Sequence, residues 1–269
     1  MGKVIVQDYT YKKPITMIGV EAGICWGANT SDDEKNYLRG IDCLESGHGR
    51  TFEFPDVYLT LDVTVQSIAE EYLNQAVKEN RADGGCVIIM KPSTGDILAE
   101  ASYPTYNLNT PFTPNTTELQ SKWDTMSTEE KSAALNNMWR NKPISNLYEP
   151  GSTFKLITSA IGLEENVVKT DTEGDFTCNK IYKVGDREIS CWSSVAHGKL
   201  SLRGALEQSC NPSLIQLGQR IGKERFYKYL QAFGLLDKTG VRMSGESKSI
   251  FYDYDDCHEV ELATMSFGQ

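Results

Sequence analysis

The clearest periodic pattern lies between residues 62 and 80. Apolar side chains at Val65, Ile68, Ala69, Tyr72, Leu73, Ala76 and Val77 recur at three- and four-residue intervals, the spacing that places them on one face of an α-helix. Asp62 stands where an N-cap is needed. A helix over 63–80 with that face buried is predicted, broken afterwards by Gly84-Gly85. Before it, residues 57–61 (Val-Tyr-Leu-Thr-Leu) read as a short strand. After it, Cys86 to Met90 is a strand rich in β-branched residues, residues 92–96 (Pro-Ser-Thr-Gly-Asp) carry turn chemistry, and Ile97 to Ser102 is the returning strand. The pattern predicts a β-hairpin packed beside the helix.

Further along, residues 103–128 are polar and contain Pro104, Pro111 and Pro114. They read as a surface excursion, followed by a short helix over 128–138. Pro150-Gly151-Ser152 leads into a helix over about 153–164. Residues 176–192 suggest a second hairpin with Gly185-Asp186 at its turn. Helices are predicted over 200–208 and 212–233, and a loop over 240–245. Residues 1–50 read as short strands and loops with no core of their own. Mixed helices and antiparallel hairpins, without an internal repeat, point to an α+β fold rather than a doubly wound sheet.

Composition narrows the function classes. Hydrophobic residues make up 39% of the 269, enough for a packed core. The net charge of −10 argues against a nucleic-acid partner. Seven cysteines leave at least one unpaired within the chain. They show no C-x-x-C spacing, which lowers the zinc and thioredoxin-like readings. Cys178 and Cys191 flank the second hairpin, either near each other or as two separate thiols. Three histidines, His48, His197 and His258, supply a histidine metal site or a Ser-His-Asp triad poorly. Neither a cofactor nor a metal is expected. No apolar run approaches the roughly 18–20 residues that cross a bilayer, and Met1 to Val6 lacks the apolar stretch of a signal peptide. No membrane anchor is therefore expected within this stretch.

The candidate chemistry sits in two short segments. Residues 148–155 read Tyr-Glu-Pro-Gly-Ser-Thr-Phe-Lys, placing Lys155 one helical turn after Ser152. A serine hydroxyl needs a neighbouring base to become a nucleophile. A lysine one turn along can reach it, and burial together with the helix macrodipole would lower the lysine pKa enough for that role. The helix N-terminus also favours negative charge developing near the serine. The second segment, Ser209-Cys210-Asn211, follows 57 positions downstream. Its hydroxyl can relay a proton, and its amide can orient the lysine and hold a substrate carbonyl. S-x-x-K alone is a weak signal; the ordered pair is stronger.

With these segments, the chain resembles the transpeptidase region of class B penicillin-binding proteins. The matching stretches are 57–62, 91–97 (Lys-Pro-Ser-Thr-Gly-Asp-Ile), 148–155, His197-Gly198, Ser209 to Asn211 and Phe267-Gly268-Gln269. Residues 240–246 resemble that family's Thr-Gly-Ile-x-Leu-Pro-Gly-Glu segment. Residues 17–42 resemble the end of its N-terminal pedestal. The resemblance implies an α+β fold of the penicillin-binding protein transpeptidase and serine β-lactamase type, with helices around an antiparallel sheet. It divides the chain into a pedestal remnant and linker over 1–50 and a transpeptidase domain over 51–269.

The implied activity is peptidoglycan cross-linking. Ser152 would attack the D-Ala-D-Ala bond of a stem peptide, with Lys155 as its base and Ser209 and Asn211 in relay and orientation. β-Lactams would acylate the same serine. The implied partners of the full-length protein are stem peptides, a membrane glycosyltransferase and division or elongation proteins, at the extracytoplasmic face of the bacterial membrane. The family's Lys-Thr/Ser-Gly strand is expected beyond Gln269, leaving this chain incomplete at that end. Lys238-Thr239-Gly240 spells that motif only 27 residues after Asn211, within the segment matching another loop, and reads as a coincidence. A β-lactamase or β-lactam sensor of the same fold, and an inactive binding or scaffolding fragment, are the alternatives.

Overall fold

The Asp62 carboxylate accepts the Val65 N–H at 3.0 Å and so caps helix α1, Val63–Asn80. This computed structural model describes residues 4–8, 13–17, 57–241, 243 and 245–269. The chain forms two compact units, residues 1–146 with 241–247, and residues 147–240 with 248–269. Of the pedestal segment expected over 1–50, all but the two strands named next lies outside the described residues.

In the first unit, β1 (Val4–Asp8) pairs antiparallel with β2 (Lys13–Met17) and parallel with β3 (Val57–Leu59). The hairpin β4 (Gly85–Met90) and β5 (Ile97–Tyr103) packs on α1 through Ala69, Leu73, Val77, Ala99 and Ala101. The buried stripe of α1 is narrower than its apolar pattern. Ile68 and Tyr72 are exposed, as is Ala76, because a two-stranded hairpin covers only the i, i+4 row of a helix. The helix spans 63–80 as predicted, and its break falls at Arg81 rather than at Gly84-Gly85. Arg81, in left-handed backbone at φ 53°, donates its N–H to Lys78 O and closes it. The polar excursion contains a helix the pattern missed, α2 (Thr117–Lys122), capped by Thr116. Helix α3 (Thr128–Trp139) starts on a capping box of Ser127 and Glu130, and the short α4 (Lys142–Ser145) follows.

The second unit is built around helices. Gly151–Phe154 forms a 3-10 turn that runs into α5 (Lys155–Glu164). The predicted hairpin over 176–192 is shorter and differently paired. Strand β7 (Ile181–Val184) returns through Gly185-Asp186 to β8 (Arg187–Ser190), while β6 (Phe176–Cys178) pairs with β9 (Gly198–Leu200). Leu200 thus ends a strand, and Ser201 caps α6 (Leu202–Glu207) by accepting the Gly204 N–H. The helix predicted over 212–233 is two, α7 (Asn211–Ile221) and α8 (Lys223–Ala232). They are separated at Gly222, whose φ of 79° suits glycine and no continuing helix. Helix α9 (Glu259–Met265) completes the unit.

Ile161, Leu202, Leu214, Ile215, Leu217, Phe226, Leu230 and Ala263 form the centre of this unit's core. Helices α5, α7 and α9 approach closely through small residues. A Cβ on Gly162 would meet Leu217 at 2.7 Å, and one on Gly218 would meet the Ser266 hydroxyl at 1.8 Å. Thr158 Oγ1 donates to Ser266 O at 2.9 Å across the same seam. Tight packing fixes where the first turn of α5 and the first turn of α7 sit, and both carry candidate site residues.

Candidate active site

Ser152 lies in the 3-10 turn and is exposed, whereas Lys155, the first residue of α5, is only 2% exposed. The turn is held by backbone pairing: Gly151 N–H donates to Gly268 O at 3.0 Å. Gly268 has φ 93°, and a Cβ there would lie 2.0 Å from Gly151 O. The Phe-Gly-Gln segment therefore approaches the serine turn as bare backbone, which only glycine permits.

Ser209 follows α6 in left-handed backbone at φ 46°, which turns the chain sharply into α7. Its hydroxyl donates to Ser152 Oγ at 2.9 Å. Lys155 Nζ donates to Ser209 Oγ at 2.9 Å, to Ser209 O at 2.8 Å and to Asn211 Oδ1 at 2.6 Å. The four side chains singled out in the sequence thus come together. Their connectivity differs from the direct lysine-to-serine contact expected of S-x-x-K, since Ser209 stands between Lys155 and Ser152. The 3-10 turn sends Ser152 outward to solvent while the α-helical lysine points inward.

Burial pushes the Lys155 pKa down, against a smaller opposing effect of the Cys210 and Cys191 thiols. Its place at the start of α5 acts in the same direction as burial, because the helix N-terminus disfavours an ammonium. Asn211 accepts through Oδ1, so its Nδ2 is left to donate elsewhere. The arrangement is a proton path from an exposed hydroxyl, through a second hydroxyl, to a buried amine that is easier to deprotonate than an ordinary lysine.

Lys238-Thr239-Gly240 lies on irregular backbone after α8 and not on a strand. The sequence reading missed a different cluster. Cys178, Cys191, His197 and Cys210 bring their ligand atoms within 4.8 Å of one another, with the three cysteines buried. Their spacings run through two strand pairs, so no short motif announces them. None of the described helices is long and apolar enough to cross a membrane.

Residues 85–269 match the penicillin binding protein transpeptidase domain. The chain is 34% identical over 214 residues to stage V sporulation protein D of Bacillus subtilis, covering 80% of this chain and 30% of that protein. It is 30% identical over 233 residues to the probable peptidoglycan D,D-transpeptidase PenA of Neisseria gonorrhoeae, covering 85% of this chain and 35% of that one. The chain thus spans about a third of the length of these curated relatives. A putative peptidoglycan glycosyltransferase from Atopobium parvulum superposes with TM-score 0.63 at 30% identity, over 80% of this chain and 45% of that one. The transpeptidase domain of Burkholderia pseudomallei penicillin-binding protein 3 superposes with TM-score 0.61 at 21% identity, over 82% of this chain and 54% of that one, a likeness of fold. With the family domain matched over more than half of this chain, and an α+β fold shared with solved members, this chain belongs to the class B penicillin-binding proteins through their transpeptidase domain.

Proposed function

We propose that this chain carries the acyl-transfer site of a peptidoglycan D,D-transpeptidase. The observation that carries this reading is the path of two 2.9 Å hydrogen bonds linking Lys155, Ser209 and Ser152. Ser152 is the nucleophile. With Lys155 neutral, the hydroxyl rotors reverse without moving a heavy atom. Ser152 then gives its proton to Ser209, and Ser209 gives its own to Lys155. The serine oxygen forms a bond to the carbonyl carbon of the penultimate D-alanine, and the bond to the terminal D-alanine breaks. The ammonium of Lys155 returns a proton through Ser209 to the departing amine, which leaves as free D-alanine. An amino group of a second stem peptide takes the acyl group by the reverse sequence. Asn211 holds the lysine through Oδ1 and presents Nδ2 to a substrate carbonyl. A β-lactam enters the same path, but its ring-opened amine stays tethered and leaves a stable acyl-enzyme.

The protein works on peptidoglycan at the extracytoplasmic face of the bacterial membrane, together with a membrane glycosyltransferase and division, elongation or sporulation proteins. The relatives named for sporulation and D,D-transpeptidation motivate this placement. Residues 51–269 belong to the transpeptidase domain, and 1–50 to a pedestal remnant and linker.

The test is covalent labelling of the folded chain with a fluorescent penicillin. Stable labelling that is lost in Ser152→Ala supports the reading. Equal labelling of Ser152→Ala, or none in folded wild-type chain, overturns it for this chain.

A further inference from the structure

The three buried thiols beside the candidate active site serve no step of the acyl-transfer path. Cys178 and Cys210 are fully buried and Cys191 is 5% exposed. They sit together on separate elements: Cys178 ends β6, Cys191 follows β8, His197 precedes β9, and Cys210 stands just before α7. His197 Nδ1 is 3.6 Å from Cys191 Sγ. All four ligand atoms lie within 4.8 Å of one another.

We propose that Cys178, Cys191, His197 and Cys210 bind a structural zinc ion. The donor set, three sulfurs and one imidazole nitrogen, is a closed structural type for this metal. The 3.6 Å between His197 Nδ1 and Cys191 Sγ fits as well. Zinc–sulfur bonds of about 2.3 Å and zinc–nitrogen bonds of about 2.0–2.1 Å at a tetrahedral angle place sulfur and nitrogen about 3.6 Å apart, and two sulfurs about 3.8 Å apart. A disulfide needs only two of the thiols and gives the imidazole no role. Outer contacts suit sulfur ligands. Ser213 Oγ donates to Cys210 Sγ at 3.2 Å, the kind of second contact that orients a ligand. The cysteines are buried, and His197, half-exposed, marks the side from which an ion enters.

Binding is balanced by proton release. One zinc ion displaces one proton from each of the three thiols and takes the lone pair of an unprotonated imidazole nitrogen, leaving a complex of net charge −1. No oxidant or reductant takes part.

The consequence concerns position. Cys210 lies between Ser209 and Asn211, the two residues that hold Lys155. Zinc would tie this turn to both strand pairs and hold Ser209 in its left-handed conformation. This positioning role rests on the acyl-transfer reading; the metal site itself does not.

The test begins with the reduced chain, stripped by chelator and titrated with cobalt(II) and then zinc. One equivalent of cobalt is expected to give a thiolate-to-metal charge-transfer band and intense tetrahedral d–d bands, both erased by one equivalent of zinc. Cys178→Ser and Cys210→Ser are expected to lose these bands. Cys86→Ser and Cys257→Ser are expected to keep them. His197→Gln, a change at a half-exposed ring, keeps thiolate bands but weakens cobalt binding, which guards against a cysteine variant that fails to fold. Wild-type chain without thiolate bands overturns the proposal. So do unchanged bands in the Cys178 and Cys210 variants, or a disulfide joining two of these cysteines in the protein as isolated.

Ser152→Ala is expected to bind zinc as wild type does, so failure of the acyl-transfer reading and failure of the zinc site are read separately. In the wild type, stripping zinc is expected to slow penicillin acylation and restoring it to recover the rate. An unchanged rate overturns the positioning role.

Discussion

Ser209 donates its hydroxyl to Ser152 at 2.9 Å although 57 residues separate them in the chain. That contact puts Ser209, not Ser152, against the buried lysine. If Ser209 relays the proton, removing its hydroxyl removes a general acid–base contribution, a term typically worth about 10²–10⁴-fold. Ser209→Ala is expected to slow acylation by a fluorescent penicillin about 10²-fold or more, with the unfolding midpoint little changed. Stopped-flow labelling beside thermal unfolding checks both.

The same residue offers a stability comparison. Ser209 has φ 46°, a conformation that costs a side-chain-bearing residue about 1–2 kcal/mol. Ser209→Gly and Ser209→Ala both lose the hydroxyl, so their difference isolates the backbone. Set against the larger unfolded-state entropy of glycine, about 0.4–1 kcal/mol, Ser209→Gly is expected to be the more stable by up to about 1.6 kcal/mol. Urea unfolding of the two variants measures this, and greater stability of Ser209→Ala would count against backbone strain.

Lys155 predicts a pH dependence. Burial lowers its pKa from the usual lysine value, so the neutral, proton-accepting form becomes available at lower pH than for an exposed lysine. Below that pKa the ammonium cannot accept the proton coming from Ser152. The acylation rate should therefore rise with pH and level off above the lowered lysine pKa. Lys155→Arg, which stays charged throughout, should lose about 10²–10⁴-fold and show no such rise. A pH series of acylation rates on both proteins checks the assignment.

Gly268 and Gly95 separate a steric clash from backbone preference. Both have positive φ, 93° and 78°, but a Cβ at Gly95 meets nothing within 4 Å while one at Gly268 would lie 2.0 Å from Gly151 O. Gly95→Ala is expected to cost up to about 1.6 kcal/mol, the left-handed penalty of about 1–2 kcal/mol less glycine's unfolded-state entropy of about 0.4–1 kcal/mol. Gly268→Ala should cost clearly more and weaken penicillin labelling, because it forces apart the backbone pairing at the Ser152 turn. Equal unfolding midpoints for the two would refute the role given to that pairing.

Capping at Asp62 makes a smaller claim. Its carboxylate accepts the Val65 N–H at 3.0 Å, so Asp62→Ala should destabilise by about 1 kcal/mol, within a range of about 0.5–2. Asp62→Ser, which retains a capping oxygen, should recover most of it in chemical unfolding.

Local signals read well where the cause was local. Asp62 is a cap because an extended residue with a side-chain oxygen satisfies a free helix N–H wherever it stands, and α1 begins where it predicts. The Gly185-Asp186 turn joins β7 and β8 for a similarly local reason. Boundaries set by neighbours read less well. Leu200 carries no mark of its strand pairing with Phe176, and that partner lies 24 residues earlier. Ile68 and Tyr72 follow helical spacing, but spacing cannot say how wide a surface covers the helix.

Amino-acid order alone was enough for the α+β class, the helix over 63–80 with the hairpin that follows it, and four side chains of a candidate acyl-transfer site. Each rests on short-range patterns: periodicity, caps, turns and two compact motifs. Tertiary structure decided the rest. It placed Ser209 between Lys155 and Ser152, sealed the lysine away from water, and gathered Cys178, Cys191, His197 and Cys210 at one point. Those relationships depend on how strands pair and helices pack across dozens of residues. Hydrogen-bond geometry, burial and metal-ligand distance are properties of that packing, and no local pattern encodes them.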